Sequence, residues 1–139
     1  MVAIRVPRRF RKVRYNASRF PGSAGTRGLD DGANCQHFAY ELLRHFGYEV
    51  PDLRSSNLWN DRHWTVMAKR LRPLDIVLFN RTRTAWGAHV GVYLGDSKII
   101  HLCKQVGVPA IWTLERFARE DRYSVFLGAK RLRRKPSKP

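Results

Sequence analysis

Apolar side chains in the first half of the chain recur with the period of a helix. Between residues 33 and 46 they are spaced three and four positions apart, which predicts an amphipathic helix with one buried face. Asp30, Asp31 or Asn34 is suited to cap the start of this helix, and Gly47 is suited to end it. The clearest element of the first half is therefore a single amphipathic helix.

The second half of the chain carries the pattern of short strands. Runs of branched apolar side chains occur at 75–79, 89–94 and 97–102. Gly95-Asp96 separates the last two runs and is typical of a hairpin turn. Weaker patterns predict a second helix at 56–71, a short helix at 114–120 and a final strand at 123–129. A helix-rich half before a run of strands predicts an α+β domain rather than alternating strands and helices.

Positive charge is concentrated at the two ends of the chain. The 139 residues carry a formal net charge of +16, from 27 basic and 11 acidic side chains. Residues 1–20 hold seven basic residues, residues 130–139 hold six, and neither segment contains an acidic one. We therefore predict a basic N-terminal arm at 1–27, one domain at 28–129 and a basic, disordered tail at 130–139. Such arms attract nucleic acid or another anionic polymer, or serve only as solvated segments.

Composition also limits the class of protein. The chain lacks a run of about 18 apolar residues, so no transmembrane helix is expected. Its first residues are charged where a secretory signal needs an apolar stretch, so no signal peptide is expected. The compartment stays open between the cytoplasm, a phage particle and export without an N-terminal signal. Two cysteines are too few for a disulfide framework or a structural zinc site, and a monomer is expected.

Cys35 is the first candidate for chemistry, because it falls in the first turn of the predicted helix. Unsatisfied N–H groups and the helix dipole at that point favour a thiolate and lower the pKa of a thiol. The same N–H groups can stabilise an oxyanion that forms beside the sulfur. The alternative is that Cys35 is a small buried apolar residue of the helix.

Two histidines in the predicted hairpin supply the groups that a thiol nucleophile needs. If the loop consists of Leu94, Gly95 and Asp96, His89 lies directly opposite His101, with about 5 Å between their Cβ atoms. One imidazole can then take the proton of Cys35, while the other holds the first in the required tautomer. The alternative is a pair of unrelated histidines on the surface of a sheet.

At these residues the sequence resembles the NlpC/P60 family of cell-wall cysteine peptidases, which are compact papain-like enzymes. The resemblance rests on HVGVYLGDSKIIH at 89–101, on VPDLRSS at 50–56 and on RPLDIVLF at 72–79. It implies a papain-like α+β fold in which the cysteine-bearing helix packs on a small antiparallel sheet. It also implies hydrolysis of peptidoglycan stem peptides near a γ-D-glutamyl linkage, without a cofactor or metal.

The resemblance assigns roles to individual residues. Cys35 corresponds to the nucleophile, His89 to the base and His101 to the third residue, which orients the base. Around the cysteine this chain reads Asn-Cys-Gln-His where the family commonly reads Asp-Cys-Ser-Gly. The candidate substrate-binding residues are those expected around the cleft: Tyr15, Gln36, His37 and Trp86.

Two other functions remain open at the level of sequence. Papain-like relatives include acyltransferases and deamidases, which use the same cysteine and histidine with a different acceptor. A basic nucleic-acid-binding module with an inactive catalytic remnant would explain the charged ends.

Among the other distinctive residues, Trp59, Trp64 and Trp112 are interpreted as packing residues. Cys103 is predicted to share the sheet face of His101, with oxidative pairing to Cys35 as its one conceivable role.

Overall fold

Helices and strands are segregated along the chain, as the sequence predicts. The computed structural model describes residues 3–23 and 28–133. The α-helices are α1 (Cys35–His45), α2 (Ser55–Asn60) and α3 (Leu114–Ala118), and short 3₁₀ helices span Arg8–Lys12 and Asp121–Tyr123. The strands are β1 (Thr65–Ala68), β2 (Ile76–Asn80), β3 (His89–Gly95), β4 (Lys98–His101), β5 (Ala110–Trp112) and β6 (Val125–Leu132).

The six strands form one antiparallel sheet in the order β1-β6-β2-β3-β4-β5. Strands β2 and β3 occupy its centre, β4 lies beside β3, and β1 and β5 are the edges. Strand β6 follows all the others in sequence but is inserted between β1 and β2. The prediction of an α+β domain with a small antiparallel sheet is confirmed.

The sheet separates two groups of buried apolar side chains. Helix α1 packs against β3 on one face, and Phe38, Leu42, Val90 and Val92 belong to the buried apolar cluster there. The smaller group on the other face includes Val77, Phe79, Ile99, Phe117 and Ala129. Apolar burial on both faces holds β2, β3 and β4 rigidly, so the β3–β4 hairpin is a firm support for the side chains that it carries.

The helix predicted at 56–71 is wrong beyond its first turns. Helix α2 ends at Asn60, and β1 begins at Thr65. The carboxylate of Asp61 accepts hydrogen bonds from the backbone N–H groups of Trp64 and Thr65, and from the Thr65 hydroxyl, at 2.8 to 2.9 Å. This turn gives the backbone a local alternative to further helix, and β1 is then stabilised by pairing with β6.

The predicted hairpin register is also wrong, by two residues. His101 pairs with Gly91 rather than with His89. The loop consists of Asp96 and Ser97, which both have positive φ angles of 52° and 60°, as a two-residue type I′ turn requires. The pairing also shifts by one residue between Tyr93 and Gly95, and this bulge reduces the difference from the predicted register from three residues to two.

The core extends beyond the predicted domain at both ends. Val6, Phe10 and Val13, in the predicted N-terminal arm, are buried in the main core. At the other end, Lys130 and Leu132 are buried in β6, within the predicted tail. The limits of the folded part therefore differ from 28–129, and the disorder predicted for 134–139 lies outside the described residues. None of the helices in the described ranges has the length and apolar character needed to cross a membrane.

Candidate active site

Cys35 is the first residue of α1, as the sequence predicts. The side chain of Asn34 caps the helix by accepting a 2.8 Å hydrogen bond from the backbone N–H of His37. The Cys35 sulfur is contacted by backbone N–H groups of its own helix start and by the backbone of Val90 in β3. Since Val90 follows His89, the start of α1 and the start of β3 lie side by side.

A chain of buried hydrogen bonds links the neighbours of Cys35 and His89. The Gln36 side-chain amide donates to the Ser55 hydroxyl at 3.0 Å, and that hydroxyl donates to the backbone carbonyl of Ala88 at 2.7 Å. Gln36 and Ser55 are both buried. Because the chain joins α1, α2 and the residue before β3, it fixes the position of Cys35 relative to His89.

His89 and His101 form a direct hydrogen bond despite the different register. Their Nε2 and Nδ1 atoms are 2.8 Å apart, and both rings are buried. In an antiparallel pair, a residue two positions from the direct partner still projects from the same face of the sheet. The two-residue shift therefore keeps the rings together. It leaves Nδ1 of His89 as the ring nitrogen that does not contact His101.

Three aromatic rings enclose the histidine pair. Tyr123 stacks on His89, with ring centroids 4.2 Å apart and planes inclined by 17°. His101 has Trp112 at 4.2 Å and Phe117 at 4.6 Å between centroids. These aromatic residues come from β5, α3 and the 3₁₀ helix that follows it. Together they exclude water from one side of the pair and restrict the motion of both imidazoles.

The expected lowering of the Cys35 pKa is wrong. Burial raises the pKa of this thiol to about 11, although hydrogen bonds from Val90, Gln36 and its own backbone, and the charge of Arg54, act in the opposite direction. Desolvation thus outweighs the helix terminus. Cys35 is a neutral thiol at neutral pH.

Burial also keeps both histidines neutral. It holds the pKa of His89 well below its usual value, assisted by His101 and by the positive charge of Arg122. Burial and the charge of Arg116 lower the pKa of His101 to about 3. At neutral pH each ring therefore carries a single N–H, and Cys35, His89 and His101 are all uncharged.

Tyr15 lies close enough to Cys35 for the two side chains to interact electrostatically. Burial raises the pKa of the Tyr15 hydroxyl, and proximity to Cys35 adds to that rise. The Tyr15 backbone forms an isolated parallel bridge with Ala33, two residues before the cysteine. Gly32 permits this approach because it has a φ of 85°, and a Cβ there would lie 2.5 Å from the Arg14 carbonyl oxygen.

The other three candidate substrate residues are divided between core and surface. Gln36 is buried in the chain of hydrogen bonds described above, and His37 is buried with its Nε2 2.8 Å from the Gly28 carbonyl oxygen. Both make internal contacts rather than face solvent. Trp86 is 77% exposed, three residues before His89. Cys103 is buried, and both it and Cys35 are free thiols.

Sequence reasoning missed the residues that surround the histidines and the cysteine. Trp112, Phe117 and Tyr123 lie far along the chain from His89, and only their aromatic character hinted at burial. Arg54 lies in the segment 50–56, and its positive charge acts on Cys35. Its guanidinium bonds the Gln36 amide oxygen at 3.2 Å.

The part of the chain that contains Cys35, His89 and His101 also resembles known proteins. Residues 19–118 match the NlpC/P60 family. Over 97 residues the chain is 33% identical to the murein DD-endopeptidase MepS/murein LD-carboxypeptidase of Escherichia coli strain K12, covering 69% of this chain and 45% of that protein. The protein of the same name from Escherichia coli O157:H7 gives the same values. The chain thus spans less than half the length of these relatives.

A solved structure shares the fold. The crystal structure of an NlpC/P60 family protein from Bacillus cereus ATCC 10987 matches with a TM-score of 0.56 and 22% identity, over 73% of this chain and 32% of that chain. The predicted papain-like fold, with the cysteine-bearing helix packed on the sheet, is confirmed. Since the family match covers most of the chain, this protein belongs to the NlpC/P60 family.

Proposed function

We propose that this chain is a cysteine peptidase that hydrolyses amide bonds in the peptides of peptidoglycan. Cys35 is the nucleophile, His89 the base and His101 the residue that orients His89. The observation that carries the proposal is the 2.8 Å hydrogen bond between His89 Nε2 and His101 Nδ1, next to the backbone of Val90 that contacts the Cys35 sulfur. Family membership and the murein-cleaving relatives support the class of substrate.

The first half of the reaction transfers an acyl group to sulfur. Nδ1 of His89 accepts the Cys35 proton as the sulfur attacks the amide carbonyl carbon. The backbone N–H groups at the start of α1 stabilise the oxyanion that forms. The C–N bond then breaks, and the leaving amine takes the proton from His89. A histidine with a lowered pKa suits this step, because its protonated form gives up the proton readily.

The second half releases the acyl group. Water attacks the thioester carbon, and Nδ1 of His89 accepts a proton from that water. The C–S bond breaks, the sulfur regains a proton from His89, and the carboxylic acid product leaves. Throughout, His101 accepts the hydrogen bond of His89 Nε2 and stabilises the imidazolium as it forms.

The proposal is tested by digesting purified peptidoglycan and weighing the muropeptides released. We expect fragments that each gain one water per cut, with new amine and carboxyl ends within the stem peptides. Protein alkylated at Cys35 is the control and should release none. The position of the cut distinguishes a D,D cross-link, a terminal residue and a γ-glutamyl linkage.

Two results of this digestion would contradict the proposal. One is an unchanged muropeptide profile with protein shown to be folded. The other is a lipid acyl adduct on Cys35, detected in the intact mass, with no peptide fragment released. That adduct would assign the site to acyl transfer instead.

The pH dependence follows from the shifted pKa values of Cys35 and His89. His89 gains a proton only well below pH 6.5, and Cys35 loses its proton near pH 11. Between pH 6.5 and pH 9 neither group titrates, so we expect kcat/KM for a non-titrating substrate to be flat, with its acid limb below this range.

Alkylation of Cys35 provides the matched comparison. Iodoacetamide reacts with the thiolate, so labelling of the Cys35 peptide, followed by mass spectrometry, should rise about tenfold per pH unit across the same range. If kcat/KM instead rose in parallel with labelling, the thiolate would have to form before attack, and proton transfer to His89 during attack would be wrong.

A further inference from the structure

The hydrogen bond between His89 and His101 can hold its proton in two ways. In the first, His89 Nε2 donates to His101 Nδ1, so His89 Nδ1 has a free lone pair and His101 carries its proton on Nε2. In the second, His101 Nδ1 donates, and the proton of His89 lies on Nδ1. Only the first arrangement leaves His89 able to accept a proton from Cys35.

The surroundings of His101 Nε2 decide between the two arrangements. This atom is buried and has no hydrogen-bond partner within residues 3–23 and 28–133. His101 as a whole is 1% exposed. Its ring packs against the indole of Trp112, with centroids 4.2 Å apart and planes inclined by 67°. The second arrangement would place a bare lone pair in this aromatic setting, and the first places an N–H there.

Aromatic faces carry partial negative charge, so they attract an N–H and repel a lone pair. The Trp112 indole is held in place because the Arg116 guanidinium lies 4.2 Å from its centroid. Burial, assisted by the positive charge of Arg116, lowers the pKa of His101 and keeps it neutral, so the ring has one N–H to place. The aromatic contact with Trp112 therefore favours a proton on His101 Nε2.

We infer that Trp112 is a positioning residue for the proposed hydrolysis: its indole holds the His101 proton on Nε2, and thereby keeps Nδ1 of His89 free to accept the proton of Cys35. The inference rests on the proposed function for its consequence in catalysis. Its structural half, the position of the His101 proton, holds or fails without any substrate.

The experiment is nitrogen NMR of the full chain with ¹⁵N-labelled histidine, in which protonated and bare ring nitrogens have distinct shifts. In the unmodified protein we expect the proton of both rings on Nε2. Trp112→Leu removes the aromatic face and should move part of the His101 proton to Nδ1, whereas Trp112→Phe keeps a face and should retain the original pattern. Trp64→Leu, before β1 at the opposite edge of the sheet, is the control and should leave the His89 and His101 signals unchanged, although Trp64 also contacts the labelled His63.

Activity gives the second measurement. Trp112→Leu should lower kcat by about tenfold with KM unchanged, because fewer molecules have His89 in the competent tautomer, and Trp112→Phe should restore most of it. A proton on His101 Nδ1 in the unmodified protein would overturn the inference, as would an unchanged pattern and kcat in folded Trp112→Leu. If Trp112→Leu does not fold, the unmodified spectrum and Trp112→Phe decide. Absence of hydrolysis in the unmodified protein, with the expected spectrum, would overturn the function alone.

Discussion

Replacing Cys35 or His89 by alanine is expected to lower kcat/KM for peptidoglycan peptides by at least about 10⁴-fold, because nucleophile and base act as a unit. Without Cys35 no thioester forms. Without His89 the thiol keeps its proton, since burial raises its pKa to about 11 and few thiolates exist at neutral pH. The measurement is the initial rate of fragment release, with folding of each variant checked by circular dichroism.

The double variant and a matched cysteine variant sharpen this test. Cys35→Ala/His89→Ala should be no slower than Cys35→Ala alone, since each change already removes the same step. Cys103→Ala removes the second buried thiol and should retain activity close to that of the unmodified protein. Hydrolysis retained by Cys35→Ala, or lost equally in Cys103→Ala, would show that the wrong cysteine has been assigned.

The orienting histidine should respond differently from the base. His101→Asn keeps an oxygen that can accept the hydrogen bond of His89 Nε2, so a measurable fraction of the activity should remain. His101→Ala leaves that buried N–H without its partner and should be slower than His101→Asn. Equal and complete loss in both variants would indicate that the roles of the two histidines are reversed.

Ending the chain after Ala129 is expected to unfold the protein at physiological temperature. The deletion removes Lys130 and Leu132, which are buried, and Arg131, whose guanidinium makes two 2.8 Å hydrogen bonds to the buried Asp75 carboxylate. Loss of a partly buried ion pair and an apolar side chain together costs about 5 kcal/mol, which is comparable to the whole stability of a small domain.

The chain that ends at Ala129 also loses the pairing of β1 with β6 and the buried ammonium group of Lys130. Three of the four residues of β1 pair with 130–132, so β1 would lose most of its place in the sheet. Lys130 is 0% exposed, and its Nζ donates to the carbonyl oxygens of Trp59 and Asp61, at the end of α2. Without Lys130, these carbonyl oxygens lose a hydrogen-bond donor at the end of α2.

A chain ending at Arg133 is the matched control. It keeps β6 and the hydrogen bonds of Arg133 to the backbone of Trp64 and Arg62. We expect it to unfold in urea at the midpoint of the full chain, whereas the chain ending at Ala129 should show no cooperative transition. Equal midpoints for the two shortened chains would mean that the end of β6 contributes little to the fold.

The sequence predicts the placement of Cys35 and the meeting of His89 with His101 better than the details around them. The helical spacing up to Phe46 places Cys35 at the start of α1, because amphipathic period and capping residues are local signals. The meeting of His89 and His101 was predicted from an incorrect register. It survives because a shift of two residues preserves the face of a strand, whereas a shift of one would have separated the rings.

What the sequence does not predict depends on distant contacts. Thr65 belongs to a strand because β6 pairs with it, and β6 is some sixty residues further along the chain. The raised pKa of Cys35 follows from burial, which no local pattern measures. The placement of Trp112 against His101 likewise requires β5, α3 and the hairpin to assemble first. These three features are properties of the fold rather than of any segment.

The position of β6 in the sheet determines when the sheet can assemble during synthesis. Every other strand leaves the ribosome before β6, yet β6 supplies the pairing between β1 and β2. The sheet can therefore close only after residue 132 has emerged, and its contacts span long stretches of chain, which is the topology of a slow folder. Until residue 132 has emerged, the nascent chain lacks the strand that joins β1 to β2, and its six-stranded sheet stays incomplete.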